Sequence, residues 1–245
     1  MNRLGRRLLW PRPWLYAPFG VLRGHGNVFS REHQVYISGF PRSGNTFART
    51  AFGIANPHVR ILSHRHIPTY ALASMRRGLP GMVLIRRPLD AACSWSLFMG
   101  LPLAESLAYY NDFYRVLAAH RDALWFVRFE QVTEDFGAVI RAMNERWGTG
   151  FNLFEHTPQA AAQCLARIEA EYTGPDGAVA ENRVPRPSAA RENLKPALIR
   201  ELNLSPRARE EWAEAEHWHR VFTQSTRQPT SRPLPSLLSP KLQNS

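Results

Sequence analysis

The chain predicts an α/β fold, a three-layer sandwich around a central parallel sheet with a helical C-terminal part. Three observations carry that expectation. Short, mostly apolar runs alternate with helical stretches over the first half of the chain, the pattern of repeated βα units. The first of these runs ends in a glycine-bounded turn that opens directly into a helix. Beyond Glu134 the pattern becomes mainly helical. The strand expectations are 35–38, 59–62, 82–86 and 124–129. Between them fall helices at 46–55, 68–77, 89–98 and 105–120, followed by 135–147 and 157–172. A polar segment with Gly174, Pro175, Gly177, Pro185 and Pro187 reads as a surface loop, after which 188–222 returns to helix with a break at 202–206. Residues 226–245, dominated by Pro, Ser and Thr, read as a disordered tail.

Length and composition bound the function. With 245 residues, 44% hydrophobic and 21% charged, the chain can bury a full core as one domain with appendages. We divide it into a basic, aromatic lead-in (1–30), a main domain (31–225) and the tail (226–245). A net charge of +11 favours an anionic partner such as a phosphorylated cofactor, an acidic substrate, nucleic acid or a membrane surface. Scattered aromatics and the lack of a finger, helix-turn-helix or RNP pattern argue against nucleic acid. Cys93 and Cys164 fall in separate helical segments with no C-x-x-C pair, so neither a disulfide framework nor a zinc knuckle is encoded. No run approaches the ~20 apolar residues that span a bilayer, and Arg, Pro and Trp interrupt any signal-peptide core in 1–20. A cytoplasmic location is the expectation. The lead-in reads as an irregular segment packed on the domain, its functional alternative being a weak peripheral membrane foot built from Leu8, Leu9, Trp10, Trp14 and Leu15.

The turn after the first strand, Gly39-Phe-Pro-Arg-Ser-Gly-Asn-Thr46, nearly spells the phosphate-binding loop G-x-x-x-x-G-K-[ST]. Asn45 stands where the lysine for the β- and γ-phosphates belongs, and a cation sits upstream at Arg42. Such a loop still cradles an anion with backbone N–H groups and a helix N-terminus, but it lacks the grip on a γ-phosphate. A second segment, Arg86-Arg-Pro-Leu-Asp-Ala-Ala-Cys-Ser94, delivers an arginine at a strand end and a serine two turns into the next helix. Strand ends are where open α/β sheets bind ligands, and arginine offers a forked, permanently charged donor.

Together, in this order and separation, the two segments resemble the signature elements of the PAPS-dependent sulfotransferases, whose fold is P-loop NTPase-like. PAPS is 3′-phosphoadenosine 5′-phosphosulfate. The likeness covers Val35 to about Glu130 and includes Trp125-Phe-Val-Arg-Phe-Glu130, similar to that family's V-R-Y-E-D-L strand. It implies that Arg42, Ser43, Gly44, Asn45, Thr46 and Phe47 cradle the 5′-phosphosulfate, with Arg42 at the loop-cation position, and that Arg86 and Ser94 hold the 3′-phosphate. Asn45, Phe47 and Arg87 depart from the commoner threonine, tryptophan and Asp or Asn. His64-Arg-His66-Ile-Pro68 is similar to K-[ST]-H-x-P, which makes His66 the favoured general base and His64 its accessory or substitute. Arg191, among Arg183, Arg186 and Lys195, stands for the basic element that closes over the cofactor.

The implied activity is sulfuryl transfer from PAPS, as co-substrate and without metal, to a hydroxyl or amine of a small-molecule acceptor. Two alternatives stay open: a P-loop kinase or NTPase with a degenerate loop, and a PAPS-binding homologue without catalysis. The acceptor and the oligomeric state are not encoded in any motif.

Overall fold

The structure, a computed structural model, describes residues 3–24, 30–174, 177, 179, 184 and 193–224. Strand β1 (Val35–Gly39) is buried along its whole length. It pairs in parallel with β2 (Ile61–Leu62) on one side and β3 (Gly81–Ile85) on the other, and β4 (Phe126–Arg128) lies outside β3. The sheet is therefore parallel throughout, in the order β2-β1-β3-β4.

Side chains alternate across the pleat, and the apolar runs fill a layer on each face. Tyr36, Val83 and Ile85 join one core layer with α4 (Pro68–Arg76), α5 (Pro88–Met99) and α6 (Leu103–Ala118). Val35, Ile37, Met82, Leu84 and Val127 join the other with α3 (Asn45–Ala55) and with two later helices, numbered α8 (Phe136–Trp147) and α9 (Pro158–Glu171). This is the three-layer α/β sandwich that the alternation predicts. Cys93 and Cys164 form no disulfide and are buried in opposite layers.

Three local expectations are corrected. Strand β4 stops at Arg128 because the chain turns at once into α7 (Phe129–Glu134), where the Arg128 backbone N–H donates to the Gln131 side chain at 3.0 Å. Residues 129 and 130 are therefore helical. The lead-in is not irregular: α1 (Arg3–Leu9) and α2 (Pro13–Leu22) are helices, with Trp10 and Tyr16 buried in the core. The C-terminal helical part holds α10 (Lys195–Leu204) and α11 (Pro206–Thr223), split only at Ser205, whose hydroxyl accepts the Ala208 N–H at 3.2 Å. The expected helix start at 188 and the tail at 226–245 lie outside the described residues. None of the described helices is long and apolar enough to cross a membrane.

Arginines fasten α1 to the domain. Asp112 of α6, almost fully buried, contacts Arg6 and Arg115 at 2.9 Å, Arg3 at 3.4 Å and Arg7 at 3.6 Å. Glu211 of α11 receives Arg3 at 2.5 Å and the Asn111 amide at 2.8 Å. Removing one partner of such a buried cluster leaves uncompensated charge and typically costs about 3–5 kcal/mol. Asp112→Ala is expected to lower the free energy of unfolding by that order and to free α1. Urea unfolding, together with proteolysis of the first ten residues, measures both effects.

Candidate active site

The sheet order sets where a ligand can bind. From β1 the chain crosses to β2 on one side and then to β3 on the other, so the loops after β1 and β3 diverge at their carboxyl ends. This is a topological switch point, where open α/β sheets form their binding crevice. A Cβ at Gly39 would lie 2.0 Å from the Leu84 carbonyl oxygen, so only glycine lets the two strands approach here. The loop then closes through Arg42 (φ 65°) and Gly44 (φ 87°), both in the left-handed region. Asn45, at the start of α3, donates its side-chain N–H to the Phe40 carbonyl at 2.8 Å. The residue at the Walker-lysine position therefore latches the loop from inside.

The two signature segments meet across a cavity of about 640 Å³. Arg42 donates from Nε to Ser94 Oγ at 2.9 Å, and Arg86 donates from Nη1 to the Arg42 carbonyl at 3.1 Å. Arg86 also stacks 4.2 Å from the Phe129 ring centre, where π-face attraction fixes the guanidinium. Tyr110 and Tyr114 of α6 donate to the Arg86 and Leu84 carbonyls, each at 3.0 Å, and brace the end of β3. Arg42, Gly44, Asn45, Thr46, Phe47, His64, His66, Arg86 and Ser94 all line the cavity. Ser43 is fully buried beneath the loop and does not. Arg191 lies outside the described residues.

His66 donates from Nδ1 to the Gly39 carbonyl at 2.9 Å. A carbonyl only accepts, so Nδ1 carries the proton and Nε2 keeps its lone pair. Burial, the largest cause, lowers the His66 pKa, the Arg42 charge lowers it further, and the bond to Gly39 opposes both. His64 has a left-handed backbone (φ 54°) and pairs Nε2 with Thr46 Oγ1 at 3.2 Å and Nδ1 with Ser63 Oγ at 3.3 Å. Desolvation by the cavity walls, then repulsion from His66, Arg49 and Arg65, pulls its pKa down to about 4. Both rings are thus held neutral at neutral pH.

Several cavity residues fall outside the two signature segments. Phe129 reads as strand from the sequence, yet as the first residue of α7 it turns onto Arg86. His156 accepts the Phe136 N–H at Nδ1 (2.9 Å), so its Nε2 carries the proton, and its ring lies 5.7 Å from that of Phe47. Tyr172 and Leu165 extend this apolar end. Lys195 lies at the wall 3.9 Å from Asp90, the one carboxylate among the described lining residues. Trp95 and Phe98 line the cavity, stacked at 5.4 Å, whereas Tyr110 and Phe113 are core. Among the described residues no cluster of three His, Cys, Asp or Glu could hold a metal ion.

No protein-family profile matches the sequence, and no curated protein does. Among solved structures the chain is similar to the mouse sulfotransferase SULT7A1 complexed with PAP, at 13% identity over 74% of this chain and 89% of that one, with a TM-score of 0.39. A likeness of that size assigns neither activity nor residues.

The His66 geometry has a direct readout. In ¹⁵N-labelled protein, Nδ1 is expected to resonate as the protonated nitrogen and Nε2 as the bare one, with the neutral form persisting below the ordinary histidine pKa of ~6.5. The sign follows from linkage. A depressed folded-state pKa favours the fold above pH 6.5, and that contribution fades as pH falls toward the folded value. An Nε2-protonated ring would refute the tautomer.

Proposed function

We propose that this protein is a PAPS-dependent sulfotransferase, moving a sulfuryl group to a hydroxyl or amine of a small-molecule acceptor. The observation that carries the reading is the loop itself. Asn45 is spent on Phe40, so no side chain at that position reaches a γ-phosphate, while Arg42, Arg86 and Ser94 gather donors on the same cavity. The cavity suits a nucleotide bearing separate anionic groups at its two ends. Loop N–H groups and the start of α3 would hold the phosphosulfate, Arg86 with Ser94 the 3′-phosphate, and Phe47, His156 and Tyr172 the base. Lys195 would add charge at the rim.

PAPS would supply the sulfuryl group, with adenosine 3′,5′-bisphosphate leaving with the electrons of the broken bond. The residues of the chain do the rest. His66 Nε2, unprotonated and fixed by Gly39, receives the acceptor's proton. Arg42, held by Ser94, balances negative charge growing on the departing oxygen. Trp95 and Phe98 exclude water and favour an acceptor with an apolar or aromatic body.

Adenosine 3′,5′-bisphosphate is expected to stabilise the protein without magnesium, by about 2.7 kcal/mol at a hundredfold excess over its dissociation constant. A larger thermal shift with Mg-ATP would overturn the reading in favour of a kinase or NTPase.

His66→Ala is expected to cut turnover by about 10²–10⁴-fold while leaving bisphosphate affinity intact. The same change at His64 should act mainly on affinity through Thr46. Single-turnover assays with PAPS and a panel of phenols, alcohols and amines distinguish the two. A dead His64 variant beside a normal His66 variant would exchange their roles, and bisphosphate binding with no turnover on any acceptor would favour the non-catalytic homologue.

A further inference from the structure

Helix α2 turns an uncharged apolar stripe to solvent. At ~100° per residue, Trp14, Leu15, Pro18, Val21 and Leu22 fall within an arc of about 120°, and all five are exposed, Trp14 at 65% and Leu22 at 86%. Pro13, Tyr16 and Gly20 fall on the opposite arc and are buried. The helix is amphipathic in exposure without being so in composition: its inner face is satisfied by the core, and its outer face has no polar residue. Leu4 and Leu8 of α1, four residues apart, are exposed as well. Of the thirteen exposed large hydrophobic residues among the described ones, these two and four of the stripe make six. That concentration, far above scattered surface apolar residues, marks an interaction surface.

Charge selects the occupant. Arg12 and Arg23 bracket α2 at its two ends, Arg7 is exposed between Leu4 and Leu8, and no Asp or Glu occurs before Glu32. Apolar residues with a tryptophan, framed by arginines and free of acids, match an interfacial helix lying on an anionic bilayer. Arginine stems can lie along the acyl boundary while their heads reach lipid phosphates. Trp10, by contrast, is buried and hydrogen-bonds through its carbonyl to Thr69 at 2.8 Å, so it belongs to the core and not to this surface. The Asp112–arginine cluster gives the surface a rigid base by fixing the helix that precedes it.

We propose that α1 and α2 form a peripheral docking surface for anionic lipid, which would keep the cavity near a membrane. The inference stands independently of the sulfotransferase reading.

Vesicle flotation tests it. The intact protein should float with mixed phosphatidylcholine–phosphatidylserine vesicles, stay behind with pure phosphatidylcholine, and release near 1 M salt, where the Debye length is about 3 Å. Arg12→Gln with Arg23→Gln should lower the partition coefficient about 25-fold, roughly fivefold per charge. Trp14→Glu with Leu22→Glu should lower it at least tenfold, and because both sites are exposed the melting temperature should not move. Failure of the wild-type protein to float, or flotation unchanged in both double variants, would overturn the proposal. So would a dimer in sedimentation that Trp14→Glu dissociates while no vesicle is bound, since a second copy would then cover the stripe.

Discussion

The contact between β1 and β3 at Gly39 is the constraint on which the site depends. With the Leu84 carbonyl where a side chain would otherwise begin, the strands can approach only if residue 39 has none. That approach brings the loop after β1 and the arginine after β3 to the same rim. At the same end of β1 the Gly39 carbonyl accepts from His66. One missing methyl group thus lets the two signature segments meet at one rim.

The two arginines at the rim each make contacts with uncharged partners. Arg42 is held by a serine hydroxyl, and Arg86 by a carbonyl and a phenyl face. A carboxylate in either place would neutralise the charge on offer to an anion. The fold does use carboxylates for arginines elsewhere, at Asp112 and Glu211, where the task is to fasten one helix to two others. The same residue type thus serves two ends, and its partner's charge separates them. Repulsion within the rim is limited because both histidines are kept neutral, which leaves the arginines as its main charges.

Much of this was legible in the sequence. The parallel three-layer sheet follows from alternating buried runs and helices, and the strand and helix order up to residue 120 needed only one- or two-residue changes at most ends. What failed did so where local pattern and tertiary packing compete. Phe129 ends a mostly apolar run and reads as strand, but a backbone–side-chain bond to Gln131 starts a helix there. The lead-in reads as irregular because Arg, Pro and Trp interrupt its apolar residues, yet proline at the first turn is compatible with a helix and the Asp112 cluster supplies the anchoring. His156 was not singled out for another reason: it lies 109 residues beyond Phe47, whose ring it approaches, and no spacing rule links the two.

The backbone itself carries the last argument. Among the described residues only two other than glycine have positive φ, Arg42 and His64, and both line the cavity. Such a conformation costs of order 1–3 kcal/mol and persists only where the surroundings over-determine it. For Arg42 the surroundings are the Ser94 hydroxyl, which fixes the side chain, and Arg86, which fixes the carbonyl. For His64 they are Ser63 and Thr46, one on each ring nitrogen. A loop serving only to connect β1 with α3, or β2 with α4, would have no reason to hold an arginine and a histidine in a region that glycine or asparagine fills at little cost. Retaining these two side chains in strained positions, each tied at two points by its neighbours, is what a preorganised anion site requires: the strain is met in folding, and little rearrangement is left for the moment of binding.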